Sequence, residues 1–147
     1  MKILVAVDNS KYSEAAVHAI NHYFKPQTVE VGILHVLTPV VLTAVPQMSR
    51  NYAPELEQQA KQARALVDNY VQRLRAAGYT AESAVETGDV RETIIDFAAR
   101  VHADLILLGS HGHKGMGRLL LGSVAESVVR HATCSVLVVR PPQAPPK

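Results

Sequence analysis

Two rhythms of apolar and polar residues alternate along this chain. One is the short unbroken apolar run, and the other places apolar residues three and four positions apart. KILVAVD (2–8) is a β-branched run of the first kind, as expected for a strand buried on both faces. TVEVGILHV (28–36), DLILLG (104–109) and SVLVV (135–139) repeat it. YTAESAVET (79–87) reads as another strand, more polar and so suited to a sheet edge.

Helical spacing fills the intervals. Ser10 or Asn9 can cap a helix over 11–24, with Ala16, Ile20 and Tyr23 or Phe24 on one face and Pro26 as the stop. Pro54 suits a first helical turn, followed by Leu56, Ala60, Ala63, Val67, Tyr70 and Leu74 on one stripe, with Gly78 as the left-handed cap. Asp89 with Glu92 forms a capping box for a helix to Arg100. Ser123 with Glu126 forms another ahead of VAESVVRHA. Residues 38–52 read as a long, partly apolar loop.

Five strands alternating with four helices predict an α/β fold, a parallel sheet with helices on both faces. Ligands in such sheets bind beyond the carboxyl ends of the strands, where the strand order reverses. Two segments leave a carboxyl end with unusual chemistry: VDNS after the first strand and a glycine-rich stretch after the fourth. If those strands are neighbours, both segments face one crevice.

Composition narrows the classes. The 147 residues fit one domain, 1–140, with a Pro-rich tail at 141–147 that cannot form a packed element. Hydrophobic residues make up 48% and charged residues 19%, ordinary for a soluble globular protein. Fifteen basic residues against thirteen acidic leave a net charge of +2 without a basic stripe, which argues against nucleic acid. Cys134 is the only cysteine, so no intrachain disulfide forms and a reduced, cytoplasmic setting is the simpler reading. The longest apolar region is broken by Pro39 and Pro46, so no membrane span is expected.

Five of the eight glycines lie between Gly109 and Gly122. Glycine permits positive φ and close approach, and successive main-chain amides make an anion nest. A helix start at Gly122–Ser123 adds the positive end of its dipole, and Lys114 and Arg118 could add charge. These features suit a phosphate chain. The competing readings are a flexible turn whose Ser123 merely caps its helix, and ordinary solvated charges at Lys114 and Arg118. A Walker A loop is disfavoured because GRLLLGS (117–123) lacks the lysine, and a dinucleotide fold because no fingerprint follows the first strand.

Gly109, two residues, Gly112, nine residues, Gly122 and Ser123 reproduce the G-2x-G-9x-G(S/T) signature, and the chain resembles the universal stress protein family. ILVAVDNS, GILHV, ETGDVRETI and SVAESVVRHATCSVLVVR extend the resemblance over nearly the whole chain. The resemblance implies a Rossmann-like sheet ordered 3-2-1-4-5, related to the adenine nucleotide α-hydrolases, in a homodimer. It also implies ATP in the crevice, with Mg²⁺ as a possible companion of the triphosphate. Ala6 and Val36 would lie along the adenine, Val36 offering main-chain hydrogen bonds, and Asp8 would accept from the ribose hydroxyls. Gly109, Gly112, His113, Gly122, Ser123 and Val124 would serve the phosphates, with Val7, Ser110 and His111 in the same site. On local sequence alone, Asp8 also reads as a turn or cap residue.

No catalytic constellation accompanies this. Ser10 and Ser13 lack a triad context. His111 and His113 lack further metal ligands fixed by sequence. His131 and Cys134 read as a cap and a packing thiol, so no catalytic residue and no metal site are assigned. The expected function is nucleotide-dependent conformation or binding of an unknown protein partner in a stress response. The alternatives are a slow ATPase or phosphotransferase using the same site, and a dimeric scaffold without nucleotide. The apolar fifth strand, 135–139, would form the dimer edge unless the tail covers it.

Overall fold

Strand formation follows the apolar runs closely. In a computed structural model describing residues 1–39, 49–113 and 121–142, with only the backbone of 49–52, the strands are β1 (Lys2–Ala6), β2 (Glu30–Leu37), β3 (Thr80–Thr87), β4 (Leu105–Gly109) and β5 (Ser135–Val139). Between them run α1 (Lys11–Tyr23), α2 (Ser49–Ala76), α3 (Val90–Arg100) and α4 (Ser123–His131), with a 3₁₀ turn at Pro26–Thr28. All four strand pairings are parallel and the order is β3-β2-β1-β4-β5. This is the fold class expected, strand order included.

Alternation within the apolar strands divides two cores. Ile3, Val5, Val31, Ile33 and Leu107 face α1 and α2, where Val17, Ile20, Val67 and Leu74 meet them. Leu4, Leu34, Ile106 and Leu108 face α3 and α4, against Ile94, Ala98, Ala125 and Val128. β1, β2 and β4 are apolar on both sides because each side has helices to cover it. The chain therefore leaves β1 for one layer and β4 for the other, and the two departures open a crevice between the ends of those adjacent strands.

Local chemistry explains most boundaries. Ser10 caps α1 by accepting from the Ser13 amide at 3.3 Å. Asp89 caps α3 by accepting from the Arg91 and Glu92 amides at 3.0 and 3.2 Å. Gly78 ends α2 at φ 93°, the left-handed conformation expected of it. Phe24 packs on the core, while Tyr23 is 63% exposed and leaves the stripe.

Three expectations change. α2 begins at Ser49 rather than at Pro54, which lies inside the helix and forfeits one main-chain bond there. Its apolar stripe is buried only from Ala63 onward, with Leu56 45% exposed and Ala60 also exposed, because the sheet is narrower than the helix is long. β1 ends at Ala6, since β1 and β4 stop pairing at Ala6–Leu108 and the chain turns to cross the sheet. Residues 40–48, 114–120 and 143–147, which include Lys114, Arg118 and most of the proline tail, lie outside the described residues.

Candidate functional site

The crevice holds a cavity of about 540 Å³, a size that suits a small-molecule ligand. Of the residues singled out in the sequence, Ala6, Val7, Asp8, Val36, Gly109, His111, Gly112, His113, Gly122, Ser123 and Val124 all line it. Ser110 does not. It is 1% exposed behind the wall, its amide bonded to the Val139 carbonyl at 2.8 Å and its hydroxyl 3.1 Å from His111 Nδ1.

One end of the cavity is an apolar slot. Ala6, Leu34, Val36, Leu108, Val90 and Ile94 wall it. The ladder between β1 and β2 closes with the Val7 amide donating to the Leu34 carbonyl at 2.8 Å. Main-chain groups alternate sides along a strand, so Val36, two residues past Leu34, turns its N–H and C=O toward the side that β1 vacates. At that point the Val7 carbonyl accepts from His35 Nδ1 at 2.8 Å, which fixes the proton on that ring nitrogen.

The middle carries a carboxylate. Asp8 follows β1, and its own amide donates to the Ser13 hydroxyl at 2.8 Å. The same hydroxyl donates back to Asp8 Oδ1 at 2.8 Å, and Oδ2 accepts from the His113 amide at 2.8 Å. Each oxygen retains a second lone pair for a ligand hydroxyl.

The far end is the start of α4, and here the expected capping box does not form. Gly122, extended at φ −71° and ψ 159°, is the cap and supplies no side chain, while Ser123 is the first helical residue with an exposed position. Glu126 pairs with Arg130 at 2.8 Å instead of reaching back. The Gly122 amide donates to the Ser110 carbonyl at 2.7 Å, so the helix start is tied to the end of β4. Without a capping side chain, the next amides retain unused donors and the positive end of the dipole.

The described signature glycines serve close approach rather than positive φ, which among the described glycines only Gly78 adopts. A Cβ on Gly122 would lie 3.1 Å from His111 Cα and 3.3 Å from the Ser110 carbonyl oxygen. A Cβ on Gly112 would lie 3.0 Å from Asp8 Oδ2, and one on Gly109 would lie 2.6 Å from Tyr12 Cβ. Gly109 is therefore demanded by α1 packing on β4.

Sequence reasoning missed Ser13, Leu34, His35, Thr38, Val90, Ile94, Leu108 and Ala125 as cavity residues. Thr38 directly follows β2, where its neighbour Val36 could have pointed to it. Val90 and Ile94 come from a helix far away in sequence, with no local signal. No described helix is long and apolar enough to cross a membrane.

Comparison with known proteins agrees with this architecture. The universal stress protein family matches residues 1–140. Universal stress protein YxiE of Bacillus subtilis is 32% identical over 145 residues, covering 95% of this chain and 98% of its own. The solved structure of the hypothetical protein MJ0577 superposes with a TM-score of 0.83 at 27% identity, covering 97% of each chain. Two more distant structures share the fold alone. A universal stress protein in complex with cAMP is 23% identical with a TM-score of 0.70, covering 94% of this chain and 95% of its own. A family protein from Arabidopsis thaliana with AMP bound is 22% identical with a TM-score of 0.64, covering 95% of this chain and 90% of its own.

Proposed function

Because the chain belongs to the universal stress protein family, we propose that it binds an adenine nucleotide, ATP above all, in the crevice between β1 and β4. One observation carries this reading: one cavity is lined by an apolar slot, a carboxylate and a helix start without a capping side chain. A purine matches the slot and the turned-out main chain of Val36. A ribose matches Asp8, and phosphates match the amides that follow Gly122 together with the Ser123 hydroxyl. That distant relatives of the same fold hold cAMP and AMP supports the nucleotide class.

Mg²⁺ would enter with the triphosphate. Among the described residues no group of three His, Cys, Asp or Glu could hold a metal ion, so phosphate oxygens and water would be its main ligands. Occupancy would act through conformation and partner binding. The apolar edge of β5 would pair with a second copy, giving the homodimer, and nucleotide would tune the affinity of that assembly for a protein partner in a stress response.

Calorimetric titration of ATP, AMP and cAMP against the wild type and Gly122→Val tests the reading. The variant crowds the helix start and should weaken ATP about 100-fold, the worth of two charge-assisted hydrogen bonds. Unchanged ATP affinity in a folded Gly122→Val protein would sink it.

A further inference from the structure

Ser13 is one of two buried polar side chains among the described residues, 4% exposed in the first turn of α1. Its hydroxyl is fully engaged with Asp8, accepting from the main-chain amide and donating to Oδ1, both at 2.8 Å. Its own amide is held by the Ser10 cap at 3.3 Å. The carboxylate thus has one rotamer, with Oδ2 directed across the crevice to the His113 amide at 2.8 Å. Gly112 makes that reach possible, because a Cβ there would stand 3.0 Å from Oδ2. Residues 8 and 113 lie on different segments, after β1 and after β4. This bond ties those segments at the cavity mouth, beside the contact of the Tyr12 and His111 rings at 5.2 Å.

We propose that Ser13 is a positioning residue whose grip on Asp8 latches the start of the glycine segment to the end of β1, with Gly112 kept small to let the latch close. On the functional reading above, one carboxylate then serves both halves of the ligand. It accepts from the sugar while holding the segment that leads toward the phosphate end, so ribose and phosphate recognition are coupled. Gly112 belongs to this latch first; its missing side chain accommodates Asp8 rather than a phosphate.

The test compares Ser13→Ala and Gly112→Ala with the wild type by amide hydrogen exchange and by calorimetry with ATP and adenosine. Ser13→Ala removes the grip and Gly112→Ala pushes Oδ2 away, so each should speed exchange at the His113 amide about tenfold, as loss of a bond to a charged acceptor implies. Exchange at the Leu107 amide in the core should stay within about twofold of wild type, which separates latch opening from general loosening. ATP should lose about tenfold more affinity than adenosine in both variants, since only ATP uses the phosphate end. Unchanged His113 exchange in both folded variants overturns the latch, and equal losses for ATP and adenosine overturn the coupling. The exchange measurement needs no nucleotide. A wild type that ignored ATP would therefore sink the functional reading while the latch was still judged on its own amide.

Discussion

α3 and α4 both start at the carboxyl end of a strand, and both flank the same cavity, yet their first turns are finished in opposite ways. Asp89 supplies its own carboxylate to the Arg91 and Glu92 amides, so the positive end of α3 is neutralised from within. Those bonds, the Glu92 amide first and the Arg91 side chain next, hold the Asp89 carboxyl below its ordinary range. α4 has glycine in the equivalent place and no capping side chain. One helix spends its terminal amides on stability, and the other leaves its own without a side-chain partner. A helix end beside a cavity is open to a ligand only when the sequence declines to cap it.

Making the two ends alike gives the largest effect. Gly122→Asp installs a carboxylate at the start of α4, where it both occupies the amides and repels phosphate. ATP affinity measured by calorimetry should fall more than about 100-fold, from lost charge-assisted bonds and a reversed local charge. Retained affinity would show that phosphate is held elsewhere.

Opening the α3 end should act on stability alone. Asp89→Ala should lower the melting temperature by a few degrees while ATP affinity stays within about threefold. Asp89→Asn refines this through pH. The native carboxyl titrates lower than in the unfolded chain, so its contribution is fully present above the ordinary carboxylate value. That contribution is lost as pH falls through the lowered native value. Melting curves of wild type and Asp89→Asn should therefore differ near neutrality and converge over the acid window below the ordinary carboxylate value. A constant offset across that window would count against the cap's charge.

The smallest effect is expected at the exposed Glu126–Arg130 pair on α4. Arg130→Ala should cost about 0.3 kcal/mol of stability, as exposed helix pairs do, and leave ATP affinity unchanged. A substantial gain in stability would mean that the freed Glu126 closes the helix start after all.

Element identity was legible in the sequence wherever a local rule was sufficient. The four apolar runs and the more polar 79–87 became the five strands, and Ser10, Gly78 and Asp89 act where their side chains or lack of one predicted. The start of α4 was misread because its cap is decided by a tertiary contact. Any side chain at residue 122 would press on the main chain of Ser110 and His111, which local spacing does not reveal. The stripe on α2 was read too far toward its start because periodicity shows which residues share a face, not whether the sheet reaches beneath them. At the crevice, the segments after β1 and β4 were identified from their own chemistry. Ser13 was considered only as a nucleophile, whereas its partner is the neighbouring Asp8.

The fit of Tyr12 against Gly109 bears on how sequences of this kind should be compared. That contact belongs to the scaffold, so a descendant that abandoned its ligand would still be obliged to keep the glycine. The other two spaced positions are bound to the fold as well, residue 112 through Asp8 Oδ2 and residue 122 through the main chain of Ser110 and His111, so the glycine spacing outlives the ligand and the pocket's use must be read from other residues.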